Sequence, residues 1–222
     1  SESYDWVDVS PLSGSLSEGE CDTITVTVDT TDFIPGLYQA DISILSNGGD
    51  GTFGLSLYIP SGDEVTDVTQ EVSDRGFPIR HAVDGDWAAA QDYMPGVSAI
   101  TKVELYLRSF GTPEFDLTVE LREDDPQGTL LDSVTFTPGE VPTSWAWFEV
   151  DFEDQPASSG SSYFIVVPPA PSGVTSSFGY EWGYAFGNQY DDGSFWFTRD
   201  GGGLWRDLPD SYEFSFKTYG LI

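Results

Sequence analysis

Apolar residues in this chain recur at every second position, in short runs punctuated by Gly, Pro, Asp or Asn about every 8–12 residues. A period of two places successive side chains on opposite faces of an extended strand, so each run can bury one face and wet the other. Ile24, Val26 and Val28 alternate with Thr23, Thr25 and Thr27. Val103, Leu105 and Leu107 alternate with Lys102, Glu104, Tyr106 and Arg108, and Leu117, Val119 and Leu121 with Thr118, Glu120 and Arg122. Helical periodicity is almost absent. The pattern therefore predicts an all-β protein.

Strands are predicted near 4–9, 22–29, 36–46 and 51–59, with turns at Pro35-Gly36 and at Asn47-Gly48-Gly49. A polar break at Pro60-Ser61-Gly62-Asp63 follows. Beyond it, strands are predicted near 87–94, 100–109, 115–122, 130–137, 145–152, 162–168, 177–186, 194–198 and 212–219. That number of strands suits a two-sheet jelly roll. The predicted domains are thus 1–62, too few strands for a closed seven-strand sandwich, and 63–222.

The 38 acidic and 8 basic residues give a formal net charge of −30 over 222 residues. Residues 1–62 contain ten Asp or Glu and neither Lys nor Arg. Such a field repels phosphate backbones and anionic bilayers, which excludes nucleic acid as a partner and argues against membrane insertion. No apolar run reaches the roughly 18 residues that a spanning helix needs. An aromatic content of 15% with seven Trp separates the chain from disordered acidic polymers. The single Cys21 excludes an intrachain disulfide, and its neighbours Glu20 and Asp22 disfavour a thiolate.

The segment Trp6-Val7-Asp8-Val9-Ser10-Pro11, with Thr25-Val26-Thr27-Val28-Asp29, Pro35-Gly36-Leu37-Tyr38 and Ile42-Ser43-Ile44, resembles BACON-type immunoglobulin-like surface repeats. That resemblance implies further strands ahead of Trp6, supplied upstream or by a partner. The second segment resembles a carbohydrate-binding-like jelly-roll module of secreted prokaryotic surface proteins. The matching residues include Ala90-Gln91-Asp92-Tyr93, Asp116-Leu117-Thr118-Val119-Glu120-Leu121-Arg122, Ser144-Trp145-Ala146-Trp147 and Phe214-Ser215-Phe216-Lys217. The fold expected is a partial immunoglobulin-like sandwich followed by a jelly-roll β-sandwich.

Catalytic constellations are missing. His81 is the sole histidine, no G-x-S-x-G elbow occurs, and no carboxylate pair stands out. Zinc lacks ligands. No cofactor is required, but calcium is a candidate: Asp84, Asp86, Asp191 and Asp192 place hard oxygen ligands on turns, where Asp-Gly is also ordinary turn chemistry. A sugar site needs flat aromatics on an exposed face beside polar groups. Trp182, Tyr184, Tyr190, Trp196 and Trp205 crowd a Gly/Asp/Asn-rich stretch and are the candidate ligand-binding residues, with core filling as the alternative. Trp145 and Trp147 share one strand face and are assigned to the core.

These features predict a non-catalytic extracellular cell-surface protein, structural or adhesive, that assembles into filaments by strand complementation. The alternative is a carbohydrate-binding module of a larger secreted protein. The expected partner is a glycan or a neighbouring subunit, including a second copy of the chain.

Overall fold

The computed structural model describes residues 5–31, 33–59, 62–79, 86–174, 178–208 and 210–222. His81 and Asp84 lie outside these residues. Among the described residues the regular structure is entirely β, as the alternation predicts. The chain divides into two compact units, 1–61 and 62–222.

The first unit contains strands β1 (Val7–Ser10), β2 (Thr25–Val28), β3 (Gly36–Ile44) and β4 (Gly51–Ile59). β1 pairs antiparallel with β2 and β3 with β4, giving two separate two-stranded sheets. The β3–β4 turn is closed by Ser46, whose N–H donates to Asp50 Oδ1 (3.0 Å) and whose hydroxyl donates to the Gly49 carbonyl (2.7 Å). Phe33 stacks on Tyr38 at 3.9 Å, and Trp6 meets both rings edge-on. Among its described residues this unit buries only Ala40. Leu12, Leu16, Ile34, Leu37, Leu45 and Phe53 are all exposed.

The second unit is a sandwich of two antiparallel sheets. The front sheet runs in the order β10 (Thr129–Phe136), β9 (Leu117–Glu123), β12 (Tyr163–Val167), β7 (Ala88–Tyr93), β14 (Phe195–Thr198), β15 (Arg206–Asp207). The back sheet is built on β8 (Ala99–Phe110), which pairs with β11 (Ala146–Pro156) along one edge. Along its other edge β8 pairs with β17 (Phe216–Leu221) and then with β13 (Gly179–Phe186). β5 (Glu64–Gln70) flanks β17, while β6 (Arg75–Ile79) and β16 (Tyr212–Phe214) flank β13. The core between the sheets takes Leu117, Leu121, Ile165 and Phe195 from the front and Leu105, Val150, Trp182 and Phe216 from the back.

Strands β5 and β6 escape the sequence pattern for physical reasons. The apolar residues of β5, Val65 and Val68, stand three apart because a register shift against β17 breaks the alternation. β6 carries Pro78, which cannot donate to a ladder; it is tolerated because β6 pairs with β13 alone among the described strands. The predicted strand 212–219 is interrupted at Ser215. There β16 stays with β13 and β17 crosses to β8, and Ser215 bonds to both neighbours through Ser215 N to Gly183 O (2.8 Å) and Tyr106 N to Ser215 O (3.2 Å). Buried glutamines serve the backbone at this break. Gln70 Nε2 donates to Phe214 O (3.1 Å), and Gln91 Oε1 accepts from Phe214 N (2.8 Å).

Candidate functional site

The outer face of the front sheet carries a row that crosses five strands. Paired register places Glu120, Val166, Ala90, Trp196 and Asp207 side by side. The adjacent row is Arg122, Phe164 and Asp92. Ala90, Phe164 and Val166 are buried beneath Trp196 and Trp205, forming a small apolar cluster distinct from the sandwich core. Two half-buried indoles therefore sit on an outer sheet face rather than between the sheets.

Polar groups fix these rings and border them. Asp92 Oδ1 accepts from the Trp196 indole Nε1–H (3.1 Å) and from Ser194 N (2.6 Å), while Trp196 packs edge-on against Phe164 at 5.7 Å. Burial raises the Asp92 carboxyl above its ordinary value, against the opposing pull of those N–H donors. Arg122 donates through Nε to Glu120 Oε2 and through Nη1 to the Gly128 carbonyl, each at 2.7 Å. The guanidinium thus ties the sheet to the turn that follows β9.

That turn is tightly determined. Asp124 adopts φ 74°, a conformation that Asp tolerates better than most side chains. Gln127 N donates to Asp125 Oδ1 (2.6 Å) and Gly128 N to Asp125 O (2.9 Å). A side chain at position 128 would collide with the Glu123 carbonyl oxygen, so glycine is required there. Gln127 Nε2 then reaches the Gly202 carbonyl (3.0 Å), linking this turn to the loop that carries Trp205. Asp200 organises that second loop by accepting from Thr198 Oγ1 (2.7 Å) and Leu204 N (3.0 Å), and these bonds lower its carboxyl pKa.

Between the two loops lies a cavity of about 340 Å³. Trp205 forms a wall, Pro168 and Pro169 line it, and Glu120, Arg122 and Gln127 supply charged and amide groups. An apolar ring wall beside a carboxylate, a guanidinium and an amide can hold a polyhydroxylated ring by its C–H face and its hydroxyls together. Sequence reasoning did not single out Glu120, Arg122 or Gln127. Arg122 and Glu120 were legible only as outward-facing residues of a strand, and Gln127 joins them through a long-range contact.

The other sequence candidates scatter. Trp182 is a core residue and cannot meet a ligand: it is fully buried, stacks on Phe214 at 4.2 Å, and donates through Nε1 to Ser215 O (2.9 Å). Tyr184 and Tyr190 pack against the same core from partly buried positions, Tyr190 against Phe216 at 5.8 Å. Trp196 and Trp205 alone of the five share the front face. The core assignment of Trp145 and Trp147 is corrected. Both do share a face, but it is the outer face of the back sheet, where they flank Tyr106 at 5.4 and 5.3 Å. Among the described residues no three His, Cys, Asp or Glu side chains converge as a metal site. Asp86 bridges to Asp200, whereas Asp191 accepts from Asn188 and Asp192 is exposed on the same turn.

No family model matches this chain, and no curated protein matches it. Among solved structures, it is similar to a crystal structure of a glycoside hydrolase family 43 arabinoxylan arabinofuranohydrolase from Bacillus subtilis in complex with cellotetraose. The identity is 16% and the TM-score 0.30, over 69% of this chain and 27% of that one. A likeness of this degree assigns neither a ligand nor an activity.

Proposed function

We propose that the second unit is a non-catalytic glycan-binding module whose site is the cavity beside Trp205 on the front sheet. The observation that carries this reading is the grouping of Trp205 with Glu120, Arg122 and Gln127 around one cavity. The net charge of −30 disfavours polyanionic glycans, so the ligand class is a neutral, extended polysaccharide. A flat β-1,4-linked chain can lay its C–H faces on an indole wall while its hydroxyls reach the side chains around it. Such a module fits an extracellular or cell-surface protein.

The test is affinity electrophoresis and calorimetry on soluble β-1,4-linked glucan, xylan and mannan, with the chain and its Trp205→Ala variant. Affinity at this cavity should fall about 30-fold or more in the variant, the loss of a central aromatic anchor being worth about 2 kcal/mol. Equal binding by both proteins, or by neither, refutes the site.

A second reading, assembly into a surface structure by strand complementation, is favoured by the first unit. Its two-stranded sheets pair with no other described strand, and its large apolar side chains stand exposed. Unpaired strand edges are templates for another strand. Sedimentation across a hundredfold concentration range should then reveal self-association that Leu37→Lys with Phe53→Lys suppresses. A monomer at every concentration overturns it.

A further inference from the structure

We infer that the outer face of the back sheet holds a second sugar site, which makes the second unit bivalent. The ligand class rests on the reading given for the front face; the site itself rests on different residues. Tyr106, Trp145 and Trp147 cluster on this face. Arg108 lies 4.8 Å from the Trp145 ring centroid and donates through Nε to Glu181 Oε2 at 2.5 Å. Beside them opens a cavity of about 250 Å³ lined by Ser73, Arg75, Tyr106, Arg108, Trp145 and Glu181, with Asp74 and Gly76.

The pocket is built rather than incidental. A methyl group on Gly76 would stand 2.8 Å from Trp145 Cζ2 and Cη2, and one on Gly183 would stand 2.9 Å from Tyr106 Cδ1. Glycine at both positions lets the rings lie directly on the backbone of β6 and β13. The turn that supplies Ser73 and leads into Arg75 at the start of β6 is fastened to the end of β13, since Asp74 N donates to Tyr184 O (2.8 Å) and Asp74 Oδ2 accepts from Phe186 N (2.9 Å). The Arg75 guanidinium stands over the Phe186 ring at 5.4 Å.

The chemistry repeats that of the front face with different parts: an indole wall, a guanidinium and a carboxylate held as a pair, and a neighbouring hydroxyl. A guanidinium has five N–H donors, and the Glu181 bond uses the Nε–H of Arg108. Asp74 and Glu181 balance Arg75 and Arg108 in the same pocket, so its charged groups sum to zero and favour a neutral polyol over an ion. Trp147 carries Lys217 Nζ 4.2 Å from its ring centroid, as Trp145 carries Arg108, but of the two rings Trp145 is the one that lines the cavity. The two cavities lie on the outer faces of the two sheets of one sandwich, so a single stretch of glycan cannot fill both. A bivalent module would bridge two chains.

The closing experiment uses calorimetric stoichiometry with hexaoses of β-1,4-linked glucose, xylose and mannose, together with turbidity of the parent soluble polysaccharide. The native chain should bind two equivalents and precipitate the polymer. Trp145→Ala, Glu181→Gln and Trp205→Ala should each bind one equivalent and leave the polymer clear. Glu181→Gln is nearly isosteric, so its result does not depend on tolerance of a truncated ring. One equivalent for the native chain, unchanged by Trp145→Ala and Glu181→Gln but lost with Trp205→Ala, overturns the second site and leaves the front-face reading standing. One equivalent lost with Trp145→Ala and kept with Trp205→Ala does the reverse. No binding of any probe overturns both.

Discussion

Glu213 is fully buried at β16, and its environment makes stability depend on pH in a direction opposite to that of most carboxylates. Oε2 lies 2.6 Å from Gln91 Nε2, while Oε1 has no partner among the described residues. Burial first, and then the charges of Asp92 and Asp210, push its carboxyl up to about 8 from 4.5, against the opposing Gln91 bond. Below pH 4.5 the folded and unfolded states both hold the proton. From there up to about pH 8 only the folded state holds it, so stability falls as pH rises. Integrated from pH 6 to pH 9, that difference amounts to about 3 kcal/mol, or roughly 6–12 °C in Tm for a domain of this size. Glu213→Gln keeps the shape and removes the proton. Thermal unfolding followed by near-UV circular dichroism at several pH values should show the native chain losing that much and the variant losing little. A native Tm that is level across this range, or a variant that falls in parallel, refutes the buried-proton account.

Two further outcomes follow from the same packing. Trp182→Ala removes a fully buried ring together with its bond to Ser215 O, and should cost about 3–5 kcal/mol in denaturant titration; a cost below about 1 kcal/mol would place the ring outside the core. Gly128→Ala forces the turn after β9 away from the Glu123 carbonyl, displacing Gln127 and the carbonyl that Arg122 holds. It should cost about 1–3 kcal/mol and weaken glycan binding at the Trp205 cavity, and unchanged affinity with reduced stability would remove Gln127 from the site.

Much of the fold was legible in the alternation, because a half-buried strand must show its period in the sequence. Residues 102–108 and 117–122 reveal both their strands and which side chains face inward. At the tryptophans two sequence signals point in different directions. Parity held the answer: Glu149 and Asp151 share a face with Trp147, so that face is outward, and Glu181 points opposite to Trp182, so Trp182 is inward. Crowding of aromatics near Gly and Asp points the other way for Trp182, and the structure follows parity. By contrast, Tyr190 reaching Met94 N (3.2 Å) and Gln127 reaching Gly202 are contacts between distant segments, and no local pattern encodes them. The break at Ser215 is equally invisible locally, since Phe214 and Phe216 continue the alternation on both sides of it.

Indole N–H resonances offer the most direct test of the front-face site, because seven Trp give a sparse and assignable set. On titrating the isotopically labelled chain with the oligosaccharide that binds, the Trp205 indole signal should shift. The Trp182 signal, held against Ser215 O in the core, should stay in place. A bound glycan that leaves Trp205 unmoved would contradict the assignment of this cavity as the binding site.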